Sequence, residues 1–400
     1  WLFKGPGDWG IQDIHETIAD KDISTTAPFA VAIPIITTDE LSASMFNNVY
    51  LDGDEFVYGA FNLPDGEMSA GFWNNEFMYR GLDGEKVLPF ASEPDEEDLY
   101  CRIVITEDTN DDGQMDWQDG ANALKKLTDG VIPGGDDAAR RFFHVGYNFA
   151  SGVQQPFLKV ADNMKRLSNY MDGFGQNLVF KGYANEGHDS GHADYEDINH
   201  RAGDAEGMNV AIAEADKINS DFGIHINHQE AYPEAKMFND HTMSGVDGWA
   251  WMDQSKYIRR DVDMLEGTFD ERLDALFDQT PDLDFVYVDC WESDRWQELK
   301  LVGNMLENGA EMFATENAPD LQRFGVWVHS TGGTSSNSIH QFVYNTQKDI
   351  YPSSSIYWGG YSRRVSMMSW QHNNNINSLV EQFYTNQLPQ KYLMCHEVLK

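Results

Sequence analysis

The chain is poor in three things, and each shortage removes a class of protein. Cysteine occurs three times in 400 residues, at Cys101, Cys290 and Cys395. Three scattered thiols cannot build a disulfide framework, and without a C-x-x-C pair a structural zinc site is not expected. Apolar runs of about 18 residues are missing, so no segment reads as a membrane-spanning helix. Basic residues are scarce: 28 Lys and Arg stand against 66 Asp and Glu, a net charge of −38. Such a field opposes nucleic acid and anionic membrane surfaces, and it repels sialylated or sulfated ligands unless a local basic pocket offsets it. A solvated acidic surface accounts for the charge with no specific partner, and it suits a salty or extracellular setting. A starting Met and a signal peptide are also missing ahead of Trp1. The chain is therefore expected to be cut from a longer protein, and it is separately expected to be secreted or attached to the cell surface.

What is present is a long, core-forming polypeptide. Hydrophobic residues make up 41% and aromatics 13%, enough for a large core, with rings left over that can fill it or stack on sugars. The length fits one α/β barrel of about 250 residues plus a smaller domain. In the first hundred residues, Phe29–Thr37 and Asp54–Phe61 are apolar or alternating and bounded by Gly, Pro and Asp, which predicts β-strands. Residues 121–127 have helical character, and the Gly/Pro/Asp cluster at 132–137 marks a boundary.

From Phe142 onward short apolar strands alternate with amphipathic helices. The expected strands are Phe142–Tyr147, Leu178–Tyr183, Phe222–Ile226, Phe285–Asp289, Met312–Glu316, Phe324–His329 and Tyr392–His396, with one more near Ile356–Trp358 or Val365–Trp370. Expected helices include Pro156–Met171, with Pro at its first turn and Gly173 past its end, and also Glu206–Asn219 and Glu271–Phe277. No Gly-rich phosphate loop follows the first strand, which argues against a doubly wound sheet. The expectation is an α/β chain, a (β/α)8 TIM-like barrel preceded by part of a β-sandwich domain. Residues 1–105 form the sandwich tail, 106–135 a connector resembling a calcium loop, and 136–400 the barrel.

Barrel chemistry sits at the C-terminal ends of strands. Asp289 closes the apolar strand Phe285–Val288, and Glu316 ends the following strand. Two carboxylates on successive strand ends can face each other across a glycosidic bond, although in so acidic a chain either one alone could be an ordinary loop acid. Loops after the second and third strands carry KGYANEGHDSGHADY (181–195) and then Asn227 to Glu234. His188, His192, His225 and His228 do not sit at helical metal-binding spacing, so they predict contacts to substrate hydroxyls or plain loop packing, and no catalytic cofactor is expected. Trp249 and Trp251 would share one side of an extended strand, as a sugar-stacking platform or as strand packing. Asp108, Asn110, Asp112, Gly113, Asp116 and Asp119 follow the rhythm of an EF-hand-like loop. The loop either holds a structural calcium or is an Asp-rich turn.

Together, DTNDDGQMDWQDGA (108–121), GYNFASG (146–152), KGYANEGHDSGHADY (181–195), Tyr232 to Lys236, GWAWMDQ (248–254) and DFVYVDCW (284–291) resemble the endo-α-N-acetylgalactosaminidase family of glycoside hydrolases. The resemblance runs from about residue 100 to the end. It implies a retaining enzyme that releases Galβ1-3GalNAc from Ser or Thr of mucin-type O-glycoproteins. It also implies Asp289 as nucleophile, Glu316 as acid/base, Asp189 and His192 as sugar contacts, and Trp249 and Trp251 as an aromatic lid. His225, Glu230 and Trp291, at strand ends or just after them, complete the expected substrate-binding set. The segment around Glu316 departs from the family in lacking the aromatic that usually follows, and residues 361–365 also differ. The rival readings are an exo-acting α-N-acetylgalactosaminidase or α-galactosidase on a similar barrel, and a carbohydrate-binding barrel without catalysis.

Overall fold

The computed structural model describes residues 2–4, 10–12, 26–31, 34–47, 56–65, 68–74, 81–83, 86–88, 100–128, 141–148, 155–188, 190–191, 193–250, 253–289, 295–315, 327–328, 347–348, 377, 380–381 and 383–389. The first hundred residues supply short strands: β1 (Leu2–Lys4), β2 (Gly10–Gln12), β3 (Thr26–Val31), β4 (Ile35–Thr37), β5 (Ser42–Asn47), β6 (Phe56–Asn62), β7 (Met68–Asn74), β8 (Gly81–Asp83), β9 (Lys86–Leu88) and β10 (Cys101–Thr106). They form two four-stranded antiparallel sheets, ordered β1-β7-β6-β3 and β10-β5-β4-β2, and the hairpin β8-β9. The stretch expected as one strand over Phe29–Thr37 is instead two strands in different sheets, β3 and β4. Pro34 lies between them and has no N–H to offer a ladder.

Helix α1 (Trp117–Thr128) covers the second sheet and buries Ala121, Ala123 and Leu124. Close approach depends on Gly120, where a Cβ would meet Ile35 Cγ2 and Ser42 Oγ, both at 2.4 Å. Ser44, buried in β5, gives its hydroxyl proton to the Gly120 carbonyl at 2.9 Å, so the buried polar groups at this contact are satisfied.

The second half builds a parallel sheet. Its elements are β11 (Arg141–Tyr147), α2 (Phe157–Tyr170), β12 (Gly175–Lys181), α3 (Asp204–Asp216), β13 (Asp221–Ile226), β14 (Glu230–Ala231), β15 (Met243–Ala250), β16 (Gln254–Ile258), α4 (Arg260–Leu265), α5 (Thr268–Gln279), β17 (Phe285–Val288), α6 (Arg295–Glu307), β18 (Met312–Thr315), β19 (Trp327–Val328) and β20 (Gln347–Lys348). The sheet order is β11-β12-β13-β17-β18-β19-β20, every pair parallel, with β14-β16-β15 as a separate antiparallel insertion. Each strand pairs with the next parallel one in sequence, and the order never reverses. That is the winding of a curled half-barrel and not of a doubly wound sheet. Most of the expected strands coincide with observed ones, while β20 had no expected counterpart. The segments 356–358, 365–370 and 392–396 lie outside the described residues.

Helix α2 shows how local sequence sets these boundaries. Pro156 stands at its N-cap, and Gly173, at φ +80°, closes its end by donating its N–H to Ser168 O at 2.8 Å. Its buried face carries Phe157, Val160, Met164 and Leu167 into the main hydrophobic cluster. Leu178 and Phe180 of β12, Phe222 and Ile224 of β13, and Val286 and Val288 of β17 join the same cluster. Full burial of each such side chain is worth about 1.5–3 kcal/mol. Because side chains alternate along a strand, the intervening residues Lys181, His225, Tyr287 and Asp289 belong to the opposite, inner face. Lower on that face the Phe285 ring lies over Gly223, where a Cβ would meet it at 2.5 Å.

Candidate active site

Asp289 follows directly on β17, whose four residues are all buried, and is itself only 6% exposed. Its amide donates to Ile226 O at 2.9 Å, which extends the β13–β17 ladder and fixes the backbone that bears the carboxylate. Two cationic or ionisable groups reach the same oxygen from neighbouring strands. His225 Nε2 lies 3.2 Å from Asp289 Oδ1, and Lys181 Nζ lies 3.5 Å from it. Burial lowers the His225 pKa, Lys181 adds to the lowering, and Asp289 only partly offsets them, so the imidazole is neutral near pH 7. The ring stacks on Tyr287 with centroids 5.5 Å apart and meets His188 edge-on at 5.3 Å.

The loop after β12 is pressed against the end of β11. Gly182, at φ +83°, allows this: a Cβ there would lie 2.0 Å from Asn148 O and 2.6 Å from His188 N. His188 donates its amide to Asn148 O at 2.9 Å, and the Asn148 side chain both accepts from and donates to the Gln155 backbone. Deeper in the loop, Tyr183 donates its hydroxyl to Tyr195 O at 2.9 Å.

The hairpin β15–β16 presents Trp249 at 58% exposure, so this indole is not core packing. Glu230 ties the hairpin down: its Oε2 accepts from Trp249 N at 2.6 Å and from Ser255 Oγ at 2.7 Å. Gly248 makes room for that carboxylate, since a Cβ at 248 would meet Oε2 at 2.1 Å.

His228 has a different place. It is fully buried, 2.9 Å from Asp263 Oδ2, and stacks on Phe269 at 4.2 Å. Arg272 grips both oxygens of Asp263, at 2.9 and 2.7 Å, and lies over the Tyr195 ring. His228 is therefore loop packing and not a substrate contact. Sequence reasoning missed Lys181 beside Asp289, and it missed Asp263, the buried partner of His228. Lys181 ends a strand exactly as the rule that selected Asp289 requires, so the same rule could have found it. Asp263, inside the short helix α4, carries no such signal. Glu316, Asp189, His192, Trp251 and Trp291 lie outside the described residues. Thr315, paired with Val288, is the last described residue of β18.

In the loop 108–119 the carboxylates hold the backbone. Asp108 Oδ2 accepts from Gly113 N at 2.8 Å, and Gly113 adopts φ +82°. Asp119 accepts from Thr109 N at 2.7 Å and Asp116 N at 2.9 Å, while Asn110 and Asp112 accept from the amides two residues on. Among the described residues no three His, Cys, Asp or Glu side chains stand together as metal ligands. Asp108 Oδ1 is nevertheless buried without a hydrogen-bond partner, the kind of orphaned oxygen a cation would satisfy.

Comparison with known proteins places the chain in a family. The family model for endo-α-N-acetylgalactosaminidase, glycoside hydrolase family 101, matches residues 118–380. The chain belongs to this family. A second model, the galactose mutarotase-like fold domain, matches residues 7–117 and takes in strands β2 to β10. A curated protein of Renibacterium salmoninarum, provisionally named an endo-α-N-acetylgalactosaminidase, is 32% identical over 393 residues. That match covers 92% of this chain and 25% of the relative, so the chain spans a quarter of the relative's length. Among solved structures, the galactosidase domain of an α-galactosidase–sucrose kinase is similar with a TM-score of 0.50 at 10% identity, over 98% of this chain and 60% of that one. The α-N-acetylgalactosaminidase of Bifidobacterium bifidum in its GalNAc complex has a TM-score of 0.46 at 15% identity, over 80% of this chain and 58% of that one. Family 101 membership thus rests on the sequence matches, and the structural likeness extends to the fold.

Proposed function

We propose that this chain is the catalytic part of a retaining endo-α-N-acetylgalactosaminidase, which releases Galβ1-3GalNAc from Ser or Thr of mucin-type O-glycoproteins outside the cell. The parallel sheet closes, on this reading, into a (β/α)8 barrel over residues 136–400. Residues 1–105 are the tail of the preceding sandwich and 106–135 the connector. The observation that carries the reading is the convergence on Asp289. A buried carboxylate at the C-terminal end of a parallel strand sits beside a lysine and a neutral histidine from the two preceding strands of the sheet. That is a place for a rigid, ionised nucleophile.

Asp289 attacks the anomeric carbon, and Glu316, next in the chain after β18, gives a proton to the departing Ser or Thr oxygen. Glu316 then takes a proton from the water that frees the sugar. Trp249, with Trp251, covers the apolar faces of the disaccharide, and Glu230 holds that platform through its backbone. Asp189, His192 and Trp291 complete the sugar contacts, and His225 serves at the nucleophile. A structural calcium in the loop 108–119 would be held by Asp108, Asn110, Asp112, Asp116 and Asp119. The free Asp108 oxygen and the Gly113 turn support it, and the ion would brace the loop ahead of α1.

The direct test is a panel of p-nitrophenyl α-glycosides of GalNAc, Gal and Galβ1-3GalNAc. The disaccharide glycoside should be cleaved with the largest kcat/KM, and Asp289→Asn should abolish that turnover while leaving the fold intact by circular dichroism. Preference for the monosaccharides would favour the exo-acting rival, and no cleavage of any would favour a binding protein.

A further inference from the structure

The outer half of the hairpin β15–β16 is held by side chains more than by a core. At its base Met243 and Ile258 are buried in a small cluster with Ala231, but beyond Met243 every residue of β15 is exposed or half-buried. A two-stranded hairpin is marginal in water by itself, so the outer half needs another tie. Its ladder is also irregular there, with a shift of register between Asp247↔Lys256 and Ala250↔Gln254. Gly248 and Trp249 fall in that shift, and side chains from the other two strands serve their peptide groups. Gln254 Nε2 donates to Gly248 O at 3.1 Å. The Trp249 amide donates to Glu230 Oε2 at 2.6 Å. The buried Ser255 hydroxyl, with one proton to give, lies 2.7 Å from that same oxygen and 2.8 Å from Trp249 O.

We propose that Glu230, Ser255 and Gln254 are positioning residues that lock the Gly248–Trp249 backbone, so that the Trp249 indole meets the sugar as a pre-set platform. The proposal rests on the reading of Trp249 as a sugar contact and makes the lock a determinant of affinity for the disaccharide.

The chemistry and the placement both fit a lock. An ionised carboxylate makes hydrogen bonds about twice as strong as a neutral acceptor does. Glu230 reaches its target across β16, the middle strand of the insertion, so one side chain pins all three strands. Closure requires glycine at 248, because a Cβ there would stand 2.1 Å from Glu230 Oε2 and 2.6 Å from Ser255 Oγ. The lock is also anchored to the strand end that carries the site. Asn227 Oδ1 accepts from Gln229 N at 2.8 Å and Glu230 N at 3.2 Å, directly after β13, whose His225 lies beside Asp289. Irregularities of this kind re-aim a side chain, and here they leave the indole exposed. An indole fixed before binding spares the complex the cost of ordering it.

The experiment measures kcat and KM for p-nitrophenyl Galβ1-3GalNAc in the full chain, with folding checked by circular dichroism. Glu230→Ala should raise KM more than it lowers kcat, by up to about tenfold, the cost of ordering one side chain on binding. Gly248→Ala keeps all three side chains but displaces Oε2, and it should give the same change. Glu230→Gln retains an acceptor oxygen and should fall between wild type and Glu230→Ala. A double-mutant cycle separates the lock from a direct sugar contact. In a Trp249→Ala background, Glu230→Ala should cost nothing further. An unchanged KM in Glu230→Ala, or an equal cost in both backgrounds, would overturn the proposal. An unchanged KM in Trp249→Ala would instead sink the reading of Trp249 as a platform, and the proposal with it.

Discussion

Single residues in this chain do opposed electrostatic work. Around Asp289 an ammonium and a neutral ring meet a buried carboxylate at the end of a parallel strand. Around Asp263 the charges are sealed in, and two Arg272 hydrogen bonds and one from His228 hold that carboxylate well below its ordinary range despite its burial. The same burial pushes the His228 pKa down to about 4, with Asp263 only partly offsetting it. A histidine of ordinary pKa near 6.5 in the unfolded chain and about 4 in the folded one binds its proton first when unfolded. Its contribution to stability is thus complete above pH 6.5 and is lost as pH falls from there towards 4. His144, lowered by burial to about 3, acts in the same sense. Asp284, raised by burial to about 8, acts in the opposite one. The effect of His228 therefore shows as a difference. In urea denaturation, His228→Gln should gain stability relative to wild type on going from pH 7 to pH 5. An equal gap at both pH values would show that the buried ring does not titrate as described.

At the scale of elements, the loop 108–119 joins β10 to α1, and α1 in turn covers the sheet of β5 and β4. If calcium fills the loop, it adds stability to the folded state by mass action, about 2.7 kcal/mol at one hundred times Kd. Calcium should raise the melting temperature of the protein and EDTA should lower it, and Asp108→Ala should remove the difference. Equal melting temperatures with calcium and EDTA would identify the loop as an Asp-rich turn held by its own amides.

Elements also mark how far the sequence could be read. Helix α2 and strands β12, β13 and β17 were legible because apolar periodicity, Pro156 and Gly173 all agree. The split of Phe29–Thr37 into β3 and β4 was not, because both strands are apolar and sheet membership is decided by distant partners. Asp289 was visible as an acid on an apolar strand and His225 as a strand-end residue, whereas their meeting with each other and with Lys181 was not, because it arises only through the lateral register of three strands. The hairpin latch by Glu230 was hidden for the same reason: a side chain bonding to a backbone amide 19 residues away leaves no pattern in sequence.

At the scale of the molecule, antiparallel sheets matched by a mutarotase-like model precede a parallel sheet matched by the family 101 model. The net charge of −38 sits on a chain of a glycoside hydrolase family, and the strand end at Asp289 has a local cation, Lys181, in that acidic field. Among the described residues no helix is long and apolar enough to cross a membrane. All of the chemistry proposed for this arrangement depends on one stereochemical outcome. A carboxylate that attacks directly must stand about 5–5.5 Å from its acid/base partner, and two inversions at the anomeric carbon then return the starting configuration. Proton NMR of a Galβ1-3GalNAc-α-threonine glycopeptide digest, recorded before mutarotation, measures that outcome. The account predicts the α-anomer of the disaccharide as the first product. The β-anomer appearing first would contradict it, because Asp289 would then be activating water and not forming a bond to the sugar.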